Sequence, residues 1–545
     1  MQLTQRIEYR PDSSAISEYF RANMTDSRAM RNEANFYIRN TMTGIQKSPE
    51  ERNANEIEVL HYVFTGIQKA NLKAQERRDK ILEEARLCED AGKKAELFKK
   101  AGKVALFSYP TAEHWYLGYN VLNAIFLYTE NPVYKRMVSQ VNQNALRKTD
   151  KSWIAYFKSL ADYRKHPEKY LGKPKRPGYI HDMTTAWWTN QVCHLVFKDD
   201  RAYLKFTSLK ELLCIGKADL YKDKKLVKTE IKPAFNRYLI LLTFDDGIVM
   251  PKVPKYPARI MGIDLGLSNF AAVANNYSKS PFIIPGGPVK SVNQWFNKKR
   301  ASLLSSLTNG KDSVHSVKQS KALFVMSRKR DNKLRDMFYK YAHIIAREAA
   351  SDKADVIVVG HNVSQKQEIN IGHINNQNFV SIPYDKFRWI LKIVAAKYCI
   401  PVVETEESYT SKASLVDGDA MPVYKEHEQV SHIFSGERIK RGLYKSKSGM
   451  ILNADVNGAG NIIRKAYPDA FVNMDLSYLI ATTRVMKLRD VNKAVGKEAL
   501  VTYKKPKTFN AAIRHDMRDK KRTELHKAFN WSRKAYIYKS AEKSA

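Results

Sequence analysis

The sequence predicts a multidomain chain in which an N-terminal helical domain and a small β-barrel precede a C-terminal α/β domain. Three observations predict it. Residues 17–160 are dominated by helix formers, residues 173–257 break into short runs rich in Val, Ile, Tyr and Phe, and from Arg259 strand patterns alternate with amphipathic helices. A length of 545 residues accommodates two to four domains.

In the helical region Pro49, Pro110 and Pro132 are the only prolines between 17 and 160, and residues 74–103 are especially rich in helix formers. The basic residues Arg77, Arg78, Lys80, Lys93, Lys94, Lys99 and Lys100 either line a nucleic-acid groove or are solvated helix faces. The entrance Lys173-Pro174-Lys175-Arg176-Pro177 marks a boundary, after which Ala202–Phe206 and Arg237–Phe244 read as strands of the barrel. Lys173, Lys175 and Arg176 are candidate nucleic-acid contacts. Alternating aromatic and basic residues on such strands either stack on and pair with single-stranded nucleic acid or simply fill the barrel and face water.

Pro251, Pro254 and Pro257 open the α/β domain. Residues 259–267 and 269–275 read as strands joined by a tight turn, and 281–285 as a possible third. A basic helical insert at about 288–350 follows. Its Leu334, Met337, Phe338, Tyr341 and Ile345 recur at helical spacing, while Arg328, Arg330, Lys333, Arg335 and Lys340 fall mostly elsewhere, so one face packs and another is cationic. Arg328 and Arg330 are candidate nucleic-acid contacts. Then come strand 355–360, helix 384–398, strand 400–406 and a helix opened by Asn457-Gly458-Ala459-Gly460-Asn461. This order, βββαβαβα, is that of the ribonuclease H type, in which the first and fourth strands are parallel neighbours and ligands collect at their carboxyl ends.

Lysine and arginine number 93 against 56 acidic residues, a net charge of +37 that calls for a polyanion, with nucleic acid the leading partner. The longest apolar runs are too short to span a bilayer, and the N-terminus lacks the apolar core of a secretory signal, so no membrane partner is expected. Cys88, Cys193, Cys214 and Cys399 form no CxxC pair and read as core-filling residues of a reducing compartment. A cytoplasmic, nucleoid-associated location is the expectation.

Two aspartates stand out. Asp264, in Met261-Gly262-Ile263-Asp264-Leu265-Gly266, is a lone acid in an apolar strand, where a carboxylate needs a metal or a cation, and the flanking glycines admit another backbone or a phosphate. Asp455 opens the last helix, where it either caps free amides or joins Asp264 in binding metal.

Three ordered motifs, the run Met261–Leu265, Tyr409-Thr410-Ser411-Lys412, and Asn453-Ala454-Asp455-Val456-Asn457-Gly458 with Asn461-Ile462, resemble the TnpB family, the transposon-associated ancestor of type V CRISPR effectors. The resemblance implies an RNA-guided DNA endonuclease with one RuvC-like site. Its alternatives are a nuclease-inactive RNA-guided repressor and a DNA transposase. It also implies a domain plan: residues 1–16 as first strand of a wedge β-barrel completed by 166–256, a recognition domain at 17–165, the nuclease at 257–480 and a basic extension at 481–545. The implied partners are a guide RNA with a structured scaffold and double-stranded target DNA bearing a short adjacent motif.

Two departures from the family pattern matter. Its middle acid falls at Gly360 here. Some relatives, among them the Fanzor proteins, use instead a glutamate just before the Thr-Ser motif, which is Glu407; Glu404, Glu406 and Glu368 stay open as alternatives. A carboxylate on the fifth strand must reach across only about 5 Å of sheet. The catalytic and metal-binding set is then Asp264, Glu407 and Asp455, holding two Mg2+ ions, for which Mn2+ can substitute, with Asp264 bridging both. Many relatives also carry a four-cysteine zinc ribbon before the final aspartate. The insert 415–450 has no cysteine, is polar and basic, and offers Arg438, Lys440 and Arg441, with Lys445, to phosphates. His432 and His373 read as surface or core residues rather than ligands.

Overall fold

The computed structural model describes residues 2–11, 13–235, 237–245, 247–308, 320–361, 382–422, 432–440, 442–480 and 483–487. Glu368, His373 and Arg441 lie outside the described residues. The chain divides into two compact units, with the boundary along the chain near residue 246.

In the first unit, helices α1 (Ser14–Gly44), α2 (Ala54–Leu87), α3 (Ala91–Gly102), α4 (Tyr119–Tyr128) and α5 (Ser139–Lys165) occupy the region read as helical. Ser13 caps α1 by accepting from the Ile16 amide. Asn53 and Glu56 form a reciprocal capping box on α2, satisfying two of the amides that a helix start leaves free. Tyr37 and Ile38 of α1, Val63 and Ile67 of α2, Phe126 of α4 and Trp153 of α5 share one core.

The same unit holds β1 (Gln2–Tyr9), β2 (Ala186–Thr189), β3 (Cys193–Lys198), β4 (Arg201–Phe206), β5 (Leu213–Lys217), β6 (Lys225–Ala234) and β7 (Arg237–Asp245). They form two antiparallel sheets, in the orders β1-β7-β6-β2 and β3-β4-β5, around a common core that includes Trp188, Phe206, Ile231 and Leu242. β1 runs along β7 from Gln2 opposite Asp245 to Tyr9 opposite Tyr238, so the start of the chain closes a sheet whose other strands come about two hundred residues later. Lys173, Lys175 and Arg176 are exposed on the irregular segment before β2. That segment is tied to α1, where Asn32 both accepts from the Ile180 amide (2.8 Å) and donates to its carbonyl (2.9 Å).

The second unit contains β8 (Ile260–Asp264), β9 (Asn269–Asn275), β10 (Phe282–Pro285), α6 (Gly287–Thr308), α7 (Lys321–Ser351), β11 (Val356–Gly360), α8 (Tyr384–Ala396), β12 (Val402–Thr405), β13 (Glu437–Lys440), β14 (Leu443–Lys445), β15 (Ile451–Asn453), α9 (Ala454–Ala466) and β16 (Arg484–Val485). Its main sheet runs β12-β11-β8-β9-β10-β16. β8 lies parallel to β11, with Ile263 opposite Val359, and β11 parallel to β12, with Gly360 opposite Thr405. Alternation along β11 feeds two faces: Ile357 and Val359 pack with α7 and α8, whereas Val356 and Val358 pack with Ile462 and Ile463 of α9. β8 is shorter than the stretch read as a strand because the chain turns after Asp264, where the Gly266 amide donates to the Phe270 carbonyl. The insert read only as polar and basic carries a small antiparallel sheet, β13-β14-β15.

Of the cysteines expected in cores, Cys193 is buried, Cys88 and Cys214 are half-buried, and Cys399 is exposed in a left-handed turn (φ 58°) that ends α8. Short turns at helix ends leave such side chains no core to enter. No described helix is long and apolar enough to cross a membrane.

Candidate active site

Asp264 ends β8, one residue past the last ladder pair with β11, and this places its carboxyl at the carboxyl edge of the sheet. Helix α9 crosses β8 closely. A Cβ on Gly262 would collide with the Ala459 carbonyl, and one on Gly458 would lie 2.7 Å from Asp264 Oδ2. The glycines of the two motifs are therefore the space into which the helix and the acid fit. Desolvation pushes the Asp264 carboxyl well above the usual carboxylate range, and the charges of Glu407 and Asp455 push it further; Arg438 opposes them. Among the described residues it accepts no hydrogen bond.

Glu407 follows β12 and turns back over β11. A Cβ at Gly360 would collide with Glu407 Oε2, so the carboxylate occupies the room that any other residue at 360 would fill. Of the alternatives, Glu404 and Glu406 are engaged elsewhere. Glu404 meets Lys392 (2.8 Å), Arg388 (3.4 Å) and His361 (3.7 Å), and Glu406 accepts from Lys465 and the Ser408 amide.

Asp455 lies in the first turn of α9, which Asn453 caps by accepting from the amides of Asp455 and Val456. It therefore is not the cap residue. Its Oδ2 accepts from Asn269 Nδ2 (2.7 Å), and Arg438 Nη2 lies 3.7 Å from its Oδ1. Two buried asparagines of the same helix lock it to the Thr-Ser segment. Asn457 accepts from the Leu415 amide (3.0 Å) and donates to the Ala413 carbonyl (2.7 Å), and Asn461 donates to the carbonyls of Thr410 (2.9 Å) and Ala413 (2.7 Å). The second and third sequence motifs are thus two halves of one joint.

The structure brings Asp264, Glu407 and Asp455 to one electrostatic neighbourhood. The set fits hard divalent cations in kind, being all oxygen and mutually repulsive without a cation between its members. Among the described residues no three acidic, imidazole or thiol groups already converge tightly enough to grip an ion, and Asp455 is turned to Arg438 and Asn269.

Two neighbours have no signal in the sequence. Asn269, at the start of β9, holds Asp455 across 186 positions of chain, and Tyr384, at the start of α8, donates to the Gly266 carbonyl (2.9 Å) behind Asp264. Burial, then Asp264 and Glu407, raise the Tyr384 hydroxyl pKa, so it stays a neutral donor. Among the other candidate contacts, Arg438 and Lys440 are exposed on β13 and Arg328 is half-buried. Arg330 is turned into the α6–α7 pair, donating to Asn293 Oδ1 (2.7 Å) and lying over Phe296. His432 packs edge-on against Tyr409.

Residues 248–365 match a family model described as probable transposase, and residues 384–462 match one described as Cas12f1-like, TNB domain. Both fall in the half of the chain that carries the three motifs. No curated protein matches the chain. Among solved structures, it is similar to a Cas12f1-sgRNA-target DNA complex at 14% identity, covering 85% of this chain and 98% of that one with a TM-score of 0.41. It is also similar to Alicyclobacillus acidoterrestris C2c1 with single-guide RNA, at 9% identity, covering 82% and 70% with a TM-score of 0.29.

Proposed function

We propose that this TnpB-like chain is an RNA-guided DNA endonuclease that hydrolyses target DNA at one RuvC-like site formed by Asp264, Glu407 and Asp455. The observation that carries this reading is the fit between Gly360 and Glu407. The position where the family pattern has its middle acid is bare, and a glutamate just beyond the end of the adjacent strand has its carboxylate in that space. A chain that had merely lost the acid would have no reason to keep another there.

In this reading the three acids hold two Mg2+ ions, which when bound supply charge neutralisation, activation of the attacking water and stabilisation of the leaving 3′ oxygen. The chain's own residues do the rest. Gly262 and Gly458 let α9 and its Asp455 close on Asp264. Asn269 orients Asp455, and Tyr384 fixes the backbone behind Asp264. Arg438 and Lys440 draw a phosphodiester backbone toward the acids, and the product keeps a 5′ phosphate.

The partners are a guide RNA with a structured scaffold and double-stranded DNA beside a short motif, whose phosphates neutralise the +37 charge. The two antiparallel sheets would form the wedge barrel, helices α1–α5 the recognition domain for the heteroduplex, and 481–545 a basic extension on nucleic acid.

The test is Mg2+-dependent cleavage of double-stranded DNA by protein purified with its copurifying RNA, compared with Asp264→Ala. Cleavage guided by that RNA and lost in the variant is expected. Guided binding without cleavage by the unaltered protein would instead identify a repressor, and strand transfer without any requirement for RNA a transposase.

A further inference from the structure

Between the Thr-Ser motif and Asp455, where many TnpB relatives carry a zinc ribbon, the residues present do not fit zinc: all four cysteines of the chain lie outside the interval. Two carboxylates gather the segments instead. Asp417 Oδ2 accepts from Ser414 Oγ (2.6 Å), Ser435 Oγ (3.1 Å) and the Lys447 amide (2.8 Å), while its Oδ1 accepts from the Ser448 amide (3.3 Å). Asp419 Oδ2 accepts from the amides of Ser414 (2.7 Å) and Ser435 (3.0 Å), and its Oδ1 from Ser435 Oγ (2.6 Å). Three stretches of chain, at 414–419, 435 and 446–448, are joined at one point, the topological task of a structural metal.

The donors are backbone amides and hydroxyls, and bonds from them to an ionised carboxylate are about twice as strong as neutral ones. Burial works against the Asp417 charge, yet the Ser414 and Ser435 hydroxyls and the Lys447 and Ser448 amides hold its carboxyl below the usual range, so it stays ionised. The clasp also has a fixed relation to the acids. Ser414 adjoins Leu415, whose amide is bound by Asn457 of α9, and Tyr444 of β14 donates to the Lys412 carbonyl (2.7 Å). β13, paired to β14, carries Arg438 to within 3.7 Å of Asp455 Oδ1.

We propose that Asp417 and Asp419 are positioning residues: a metal-free clasp that takes the place of the zinc ribbon and sets the Arg438 strand against Asp455. The clasp stands on its own geometry, and only its consequence for cleavage rests on the function proposed above.

Hydrogen exchange of the amides at 443–453 in the full chain tests it. Removing Asp417 takes away several charge-assisted bonds, so Asp417→Ala is expected to speed exchange there by about tenfold or more, with partial rescue by Asp417→Asn. A zinc chelator is expected to change nothing. Ser435→Ala removes one hydroxyl, whose single proton Asp417 and Asp419 share, without removing a charge and gives a smaller acceleration, which keeps the test open if Asp417→Ala does not fold. Exchange that quickens with chelator, or that ignores both Asp417→Ala and Ser435→Ala, overturns the clasp. A second measurement addresses positioning. The loss of guided cleavage caused by Arg438→Gln should shrink in the Asp417→Asn background, because Arg438 is then already misplaced. Full additivity in a chain whose exchange is altered would overturn the positioning role and leave the clasp standing.

Discussion

Glu56 in the helical unit is a buried carboxylate and Asp264 in the α/β unit a half-buried one, and the protein treats them in opposite ways. Glu56, with a side chain 2% exposed, receives Lys47 Nζ at 2.9 Å on each oxygen and the Asn53 amide at 3.0 Å. The Thr43 hydroxyl and the Lys47 ammonium hold its carboxyl down to about 2. Asp264 accepts no hydrogen bond among the described residues, and burial and two neighbouring acids drive its carboxyl up. A fold gains nothing from the second arrangement, since a partly desolvated carboxylate crowded by like charges and without a donor is a cost. The contrast separates an acid held by donors from one crowded by like charges, which under the proposed function is the one that would hold a metal.

The largest expected effect follows from that contrast. Asp264→Asn should reduce guided cleavage by more than about a hundredfold, the upper range for losing a mere outer-shell partner of a metal site. In metal-free buffer it should leave the thermal midpoint unchanged or raised, because it removes a repelled charge. A variant that both cleaves normally and melts lower would place Asp264 in the same class as Glu56.

The relation of Gly360 to Glu407 sharpens the functional side of the comparison. Glu407→Ala should abolish cleavage, and Gly360→Ala should impair it by driving a methyl group into Glu407 Oε2 and to within 2.7 Å of Ile462 Cδ1. Combining Gly360→Asp with Glu407→Ala vacates one acid and supplies another in the same space. Recovery of about tenfold over Glu407→Ala, measured as a cleavage rate, is expected from such a coupled pair. Equal rates in the double variant and in Glu407→Ala would mean that the two positions do not share one site.

Much of the α/β unit was legible. Asn269–Asn275 and Val356–Gly360 carry apolar runs long enough to announce buried strands, and α8 repeats its apolar residues at helical spacing. The two aspartates stood out because a lone acid in apolar surroundings needs a reason. Choosing among Glu404, Glu406 and Glu407 depended on where β12 ends, since each residue added to a strand changes the face; the strand stops at Thr405. Asn269 and Tyr384 reach the site through packing between distant segments, which no local pattern records. The strands β13, β14 and β15, of three or four residues each, are too short to show periodicity.

Glu56 supplies the smaller, purely structural effects. Glu56→Ala removes the capping box and leaves Lys47, which is 38% exposed and can return to water. A cost of about 2–3 kcal/mol is expected, below that of breaking a fully buried pair, with unchanged cleavage at temperatures where the helical unit stays folded. Chemical denaturation of the two proteins checks it.

The subtlest effect is its pH dependence. The folded carboxyl titrates near 2 and an unfolded glutamate near about 4.3. Folding therefore favours the ionised form, and the contribution is fully present above the unfolded value and drains away as pH falls toward the folded one. Glu56→Gln cannot follow that titration. The stability lead of the unaltered protein over Glu56→Gln, measured pairwise by urea denaturation so that other groups cancel, should be constant from pH 7 to about 5.5 and shrink steadily below about 5. A lead that stayed flat through that acid range would mean that Lys47 and the helix start do not hold the charge of Glu56, and the structural half of the comparison would fail with it.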